Sequence, residues 1–251
     1  MRKLLVLFCL VLFMTACTTE KVLNPVDKKR AAELNAQLGL GYLQQGQYKR
    51  ALYKLDKALK FDPDNAPAYH YKAELYRRLK DSERAEKYFK IAMGLSPDNF
   101  EIENNYGVFL CDIGKYEEAI TLFKKPLGDP MYSRADSYEN IGLCRLRQGQ
   151  MVKAEKAFTQ ALKINPKRPN SLLKLAQLRF DGGNSVAAYK LYTRYISIAK
   201  HTSESLWLGI LLEHGRGAKN TVASYKVKLK GKYPDSKETK LLIKLERQGK
   251  L

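Results

Sequence analysis

The sequence predicts an all-α protein: a right-handed superhelical solenoid of about six helix pairs, closed by a C-terminal capping helix. Three sets of recurring residues predict it. Small residues stand at Ala51, Ala85, Ala119, Ala154 and Ala188, separated by 34, 34, 35 and 34 positions. Large apolar residues keep the same rhythm at Leu55, Phe89, Phe123, Phe158 and Tyr192. Gly46, Gly114, Gly149 and Gly183 mark a turn in the same phase, and Pro63, Pro97 and Pro166 fall at the repeat ends. Columns that share one phase at this period are the mark of stacked supersecondary units burying a continuous core.

Each column has a physical job. Gly39, Ala73, Gly107, Gly142, Ala176 and Gly209 lie on the first helix of each unit and face Ala51 and its counterparts on the second. Small residues at both positions let two helices approach closely. The bulky column fills the space between helices, the glycine supplies the turn, and proline stops the second helix. The period and the pattern resemble the tetratricopeptide repeat. Units are expected at 32–65, 66–99, 100–134, 135–168, 169–201 and 202–234, the last of them degenerate, with a capping helix over 236–247. Pro126 stands where the third unit should have alanine, and Gly128 and Pro130 follow, so its second helix should end early.

The N-terminus reads as an export signal. Arg2 and Lys3 precede an apolar run from Leu4 to Phe13, and small residues follow at Thr15 and Ala16. The run is too short to span a bilayer; a short anchor or a buried helix is the competing reading. Met14-Thr15-Ala16-Cys17 resembles a bacterial lipobox, with Met14 in place of the usual leucine. That resemblance implies cleavage before Cys17, acylation of Cys17, and, with Thr18 rather than Asp next, an outer-membrane address on the periplasmic face. The expected organisation is a signal peptide over 1–16, a lipidated tether over 17–31, the repeat array over 32–234, and a capping helix and tail over 235–251. Losing Arg2 and Lys3 with the signal takes the formal charge from +19 to +17. Of the four cysteines, Cys9 leaves with the signal and Cys17 takes lipid, so Cys111 and Cys144 remain in an oxidising compartment.

First helices of such arrays line a groove. The groove positions include Leu40 and Leu43 in the first unit, His70, Glu74, Arg77 and Arg78 in the second, and Asn104, Asn105 and Val108 in the third. Glu139, Asn140, Leu143 and Leu146 follow, then Lys174, Gln177 and Phe180. The candidate partner-binding residues are Leu40, Leu43, Asn104, Asn105, Asn140 and Leu143. Leucines there bury partner side chains, and an asparagine amide both donates to and accepts from a peptide backbone. Two bland readings stay open: the leucines pack between helices, or the asparagines only bond neighbouring helices. Ala36 and Leu40 stand where clamps for carboxylate tails carry Lys and Asn, which argues against a tail binder. Lys219 to Lys250 holds ten basic residues against Asp235, Glu238 and Glu246. It is either a contact for anionic lipid or an acidic partner, or a solvated capping face.

Nothing points to catalysis. His70, His201 and His214 are scattered, and metal-ligand spacings and nucleophile elbows are absent. Trp207 reads as core. The expectation is a non-enzymatic scaffold with no cofactor, no metal, no small-molecule substrate and, in this compartment, no nucleic acid.

Asn104-Asn105-Tyr106-Gly107, Phe109-Leu110-Cys111 and Gly114-Lys115-Tyr116 resemble the third repeat of the PilF/PilW family of type IV pilus biogenesis lipoproteins. Asp129-Pro130 and Glu139-Asn140-Ile141-Gly142-Leu143-Cys144 resemble it too, as do the order of lipobox, tether and repeats along the chain. The resemblance implies a pilotin: an outer-membrane lipoprotein that binds the pilus secretin subunit and promotes its targeting to that membrane and its multimerisation. It also implies a disulfide between Cys111 and Cys144; two free buried thiols are the alternative. The rival function is a periplasmic repeat lipoprotein that scaffolds cell-wall enzymes or outer-membrane protein assembly.

Overall fold

The computed structural model describes residues 24–128 and 134–251. The signal, the lipobox with Cys17, Thr18, Asp129 and Pro130 lie outside the described residues. Among the described residues the chain is an all-α solenoid of helix pairs with no strand. The helices are α1 (Pro25–Gln44), α2 (Tyr48–Phe61), α3 (Ala66–Arg78), α4 (Ser82–Leu95), α5 (Phe100–Asp112), α6 (Tyr116–Lys124), α7 (Arg134–Arg147), α8 (Met151–Ile164), α9 (Pro169–Asp181), α10 (Ser185–Ile196), α11 (Ser203–Gly215), α12 (Lys219–Lys232) and α13 (Lys237–Arg247). The chain divides into two compact units, one ending at Ile102 and the other beginning at Glu103.

In the first unit, α1 begins inside the segment expected to be tether. The Asn24 side chain accepts a hydrogen bond from the Asp27 N–H at 2.8 Å, and Pro25 takes the first helical position. Asparagine then proline is a strong helix start, because the cap satisfies an orphan donor and proline has no N–H to orphan. The 17–31 tether is thus corrected: its last seven residues are helix. Gly39 lets α2 come close, since a Cβ there would lie 2.6 Å from a Leu55 methyl carbon. Ala51, Leu55, Ala58, Ala73, Ala85 and Phe89 are all fully buried, as the columns require. The turn glycine of the other repeats is replaced by Lys80, which still adopts φ +60°. The turn bonds explain why: Lys80 N–H reaches Arg77 O at 3.1 Å and Asp81 N–H reaches Tyr76 O at 2.9 Å.

In the second unit, α6 stops at Lys124 and a 3-10 turn over Lys125–Gly128 follows. Proline at 126 supplies no helix-bonding N–H, so the early end falls where expected. From Ala154 onward one apolar core runs to Leu242, with Phe158, Leu172, Tyr192 and Leu206 at its centre. The sixth pair is regular although its sequence is degenerate. Val222 takes the small column, and Tyr225 sits one residue ahead of the bulky column; both are buried, Tyr225 against Gly209. Thr202 and Ser205 form a reciprocal capping box that starts α11. Ser236 starts α13 by accepting from the Thr239 N–H at 3.1 Å.

Candidate docking surfaces

The groove residues chosen from sequence divide into three groups. The first group is core. Leu43 is 1% exposed and continues the buried stripe Ala32, Ala36, Gly39 of α1, so its placement in the groove is corrected. The spacing of four, three and four residues keeps all of them on one face of a 3.6-residue helix. His70 is also buried, with its ring centroid 6.1 Å from that of Phe89. Burial holds its imidazole below the ordinary value, against the opposing pull of Glu101 and Glu74. Glu139 is buried and accepts bonds from Arg168, Ser171 and Asn170.

The second group links neighbouring helices. Asn140 Nδ2 donates to Asn104 Oδ1 at 2.6 Å, joining α7 to α5. For this pair the bonding is between helices, and both amides are half-buried. Asn105 is half-buried too. The third group is partly open. Leu40 is half-buried on α1, and Leu143 is half-buried and packs against the core of the second unit. Cys111 and Cys144, on the same two helices as the asparagines, form a disulfide with Cα atoms 5.7 Å apart.

Two surfaces emerge, one that the sequence did not single out and one of which it named only Lys174 and Gln177 as groove positions. The first is the outer face of α1, where Leu34 and Leu38 are 53% and 49% exposed. They hold the third and seventh positions of the first repeat. The equivalent residues of the second repeat, Ala68 and Lys72, are buried, and Lys72 pairs with Asp56 of α2 at 2.7 Å. Those positions therefore face the preceding helix pair. Ser171 and Leu175 of the fifth repeat are buried likewise. In the first repeat the same face carries leucine and lies open, whereas a terminal repeat ordinarily turns a polar face outward. A signal was present: two leucines four apart, at positions that another repeat would cover.

The second surface is a cleft of about 380 Å³ between α9, α11 and α13. Leu173, Trp207 and Leu241 give it apolar walls. Lys174 pairs with Glu204 at 2.7 Å beside it, and Gln177 donates to Asp181 at 2.8 Å. Such a cleft accepts an apolar side chain from a peptide while charges of both signs meet its backbone or neighbours. Trp207 was expected in the core; it is half-buried, packs against the core and also lines the cleft. It occupies the sixth position of its repeat, as Asn105 and Asn140 do of theirs, which was the available clue. Among the described residues there is no group of metal-ligating side chains, and no helix is long and apolar enough to cross a membrane.

Tetratricopeptide repeat models match residues 42–92 and 135–168. The chain is 33% identical over 236 residues to the type IV pilus assembly protein PilF of Pseudomonas aeruginosa, spanning 92% of this chain and 94% of that one. It is also similar to the solved structure from the functional characterisation of Pseudomonas aeruginosa PilF, with a TM-score of 0.75 and 31% identity over 86% of this chain and 98% of that one. The crystal structure of PilW, described as a widely conserved type IV pilus biogenesis factor, superposes with a TM-score of 0.73 at 30% identity, covering 84% and 98% of the two chains. Proteins of this repeat class are typically non-enzymatic scaffolds for protein–protein interaction. With a pilus assembly protein matched along nearly its whole length, and with the helix pairs described above, this chain belongs to the PilF/PilW family of tetratricopeptide-repeat proteins of type IV pilus biogenesis.

Proposed function

We propose that this chain is an outer-membrane lipoprotein, acylated on Cys17, that binds the type IV pilus secretin subunit and promotes the secretin's outer-membrane targeting and multimerisation. The observation that carries the docking part is the open apolar face of α1. Leu34 and Leu38 stand exposed at positions that later repeats bury against the pair before them. A partner segment laid there as the missing preceding helix would bury both leucines, at roughly 25 cal/mol per Å² of apolar surface. The lipid reading agrees in geometry. Since α1 begins at Pro25, only residues 18–24 separate it from Cys17. Seven residues reach at most roughly 25 Å, which would hold this face close to the membrane in which the secretin assembles.

The test replaces Leu34 and Leu38 together with Asp in the lipidated protein, expressed in a strain lacking the native copy. Both side chains are half exposed, so helix content and thermal unfolding should hold while secretin co-purification and outer-membrane secretin multimers fall. A folded double variant with normal binding removes α1 as the docking face. Normal multimers in the complete deletion strain would overturn the secretin role and favour the scaffold of cell-wall enzymes or outer-membrane assembly.

A further inference from the structure

The capping helix α13 packs part of its length inward and turns four cations outward. Leu242, Glu238 and Thr239 are buried. Glu246 bonds Lys226 and Lys230 of α12 at 3.4 and 2.6 Å. Of the two glutamates of the helix, Glu238 is buried and Glu246 is paired with α12. Lys237, Lys240, Lys244 and Arg247 are exposed, at spacings of three, four and three residues that put them on one face. Only Lys237 has an ion pair among the described residues, with Glu238 at 3.5 Å. The stripe is roughly 15 Å long at a helical rise of 1.5 Å per residue, and partly exposed Leu241 and Ile243 flank it. On α12, Lys228 and Lys232 are exposed as well. With burial, they hold the His201 imidazole below its ordinary value.

We infer that this stripe is a docking surface for anionic phospholipid headgroups, so that the protein meets the membrane through its capping helix as well as its acyl group. The inference rests on the lipoprotein reading above, because the anchor is what keeps the stripe near a bilayer. The residue types favour lipid over an acidic protein. Three of the four cations are lysines, hydrated point charges that attract a mobile field of phosphates without fixed geometry. An arginine fork such as Arg168 makes on Glu139 fixes a carboxylate through two bonds, and the stripe holds a single arginine. The flanking aliphatic side chains suit the headgroup boundary.

The test uses the full lipidated protein, reconstituted in vesicles of phosphatidylcholine alone or with phosphatidylglycerol mixed in. Amine acetylation is followed by mass spectrometry at Lys240 and Lys244, with exposed Lys163 of α8 as the reference. The expected result is a severalfold slower modification of Lys240 and Lys244 only in the phosphatidylglycerol vesicles, abolished at high salt. The same preparation yields the mass of the mature N-terminus, which judges acylation separately. If Cys17 carries no lipid, flotation of the protein with the same vesicles replaces the footprint. Lys240→Glu with Lys244→Glu should then weaken flotation by at least about fivefold per residue. Equal modification in both vesicles, or no flotation, overturns the proposal. So does protection that appears only when another protein is bound, which would assign the stripe to an acidic protein surface.

Discussion

Arg168 grips Glu139 with two nitrogens, Nε at 3.1 Å and Nη2 at 2.9 Å, and so ties α7 to the start of α9. The same carboxylate accepts the Ser171 N–H at 3.1 Å, and Arg168 also reaches Asp136 at 2.6 Å. Burial by itself would raise the Glu139 carboxyl, but Arg168 and Ser171 outweigh it and hold the group below its ordinary value of 4.5. A carboxyl depressed in the folded state adds stability above its unfolded value and loses it as pH falls through the folded one. Acid should therefore weaken the protein below pH 4.5. Glu139→Gln should lower stability at neutral pH by on the order of 2 kcal/mol and flatten that acid limb. Urea unfolding of both proteins at neutral and acid pH checks this. An unchanged acid limb in the variant would assign the loss to other carboxyls.

Lys80 adopts φ +60° where the other repeat turns have glycine, such as Gly46 at +72° and Gly114 at +85°. A left-handed conformation costs an L-residue roughly 1–2 kcal/mol, part of which glycine gives back as unfolded-state freedom. Lys80→Gly should raise stability by up to about 1 kcal/mol. Lys80→Ala keeps the strained backbone and should give no gain. Thermal unfolding of the two variants decides it; equal midpoints for both would mean the turn carries no strain.

The bond between Cys111 and Cys144 closes 33 residues of chain, including the interrupted end of the third repeat. Chain-entropy reasoning gives such a loop about 3–4 kcal/mol of stabilisation. Replacing both cysteines with serine should cost a large part of that, and the unreduced protein should release no thiols from this pair on denaturation. Two reactive thiols per unreduced molecule, beyond any at Cys17, would count against the bond.

Cys17→Ser should leave a chain without acyl groups and displace any membrane-bound partner. Mass spectrometry of the mature N-terminus reads this directly. An unmodified thiol at Cys17 in the wild-type protein would defeat the lipoprotein reading.

The repeat columns translated into contacts nearly residue by residue. Gly107 and Gly142 sit where a Cβ would come within 2.7 Å of the Phe123 and Phe158 rings, which the small-against-large pattern required. The early end of α6 followed from one proline. The start of α1 was also written in the sequence, as Asn24-Pro25, but polar composition obscured it. Leu43 went astray because one helical position can face the groove in some repeats and the core in another. Trp207 packs against the core as expected, and that it also lines the cleft shows only once its neighbours are placed.

By itself the sequence determined the repeat, the number of helix pairs, their turns and the small-to-large packing, because each depends on residues held at one fixed period. Only the tertiary structure decided which first-helix side chains remain open. Exposure depends on whether another helix covers a face, and that is a property of neighbours in space. Leu34 and Leu38 are open because nothing among the described residues precedes their pair. Asn104 and Asn140 turn to each other because their helices lie side by side. The stripe on α13 faces outward because the opposite face, with Glu238, Thr239 and Leu242, is buried in the fold.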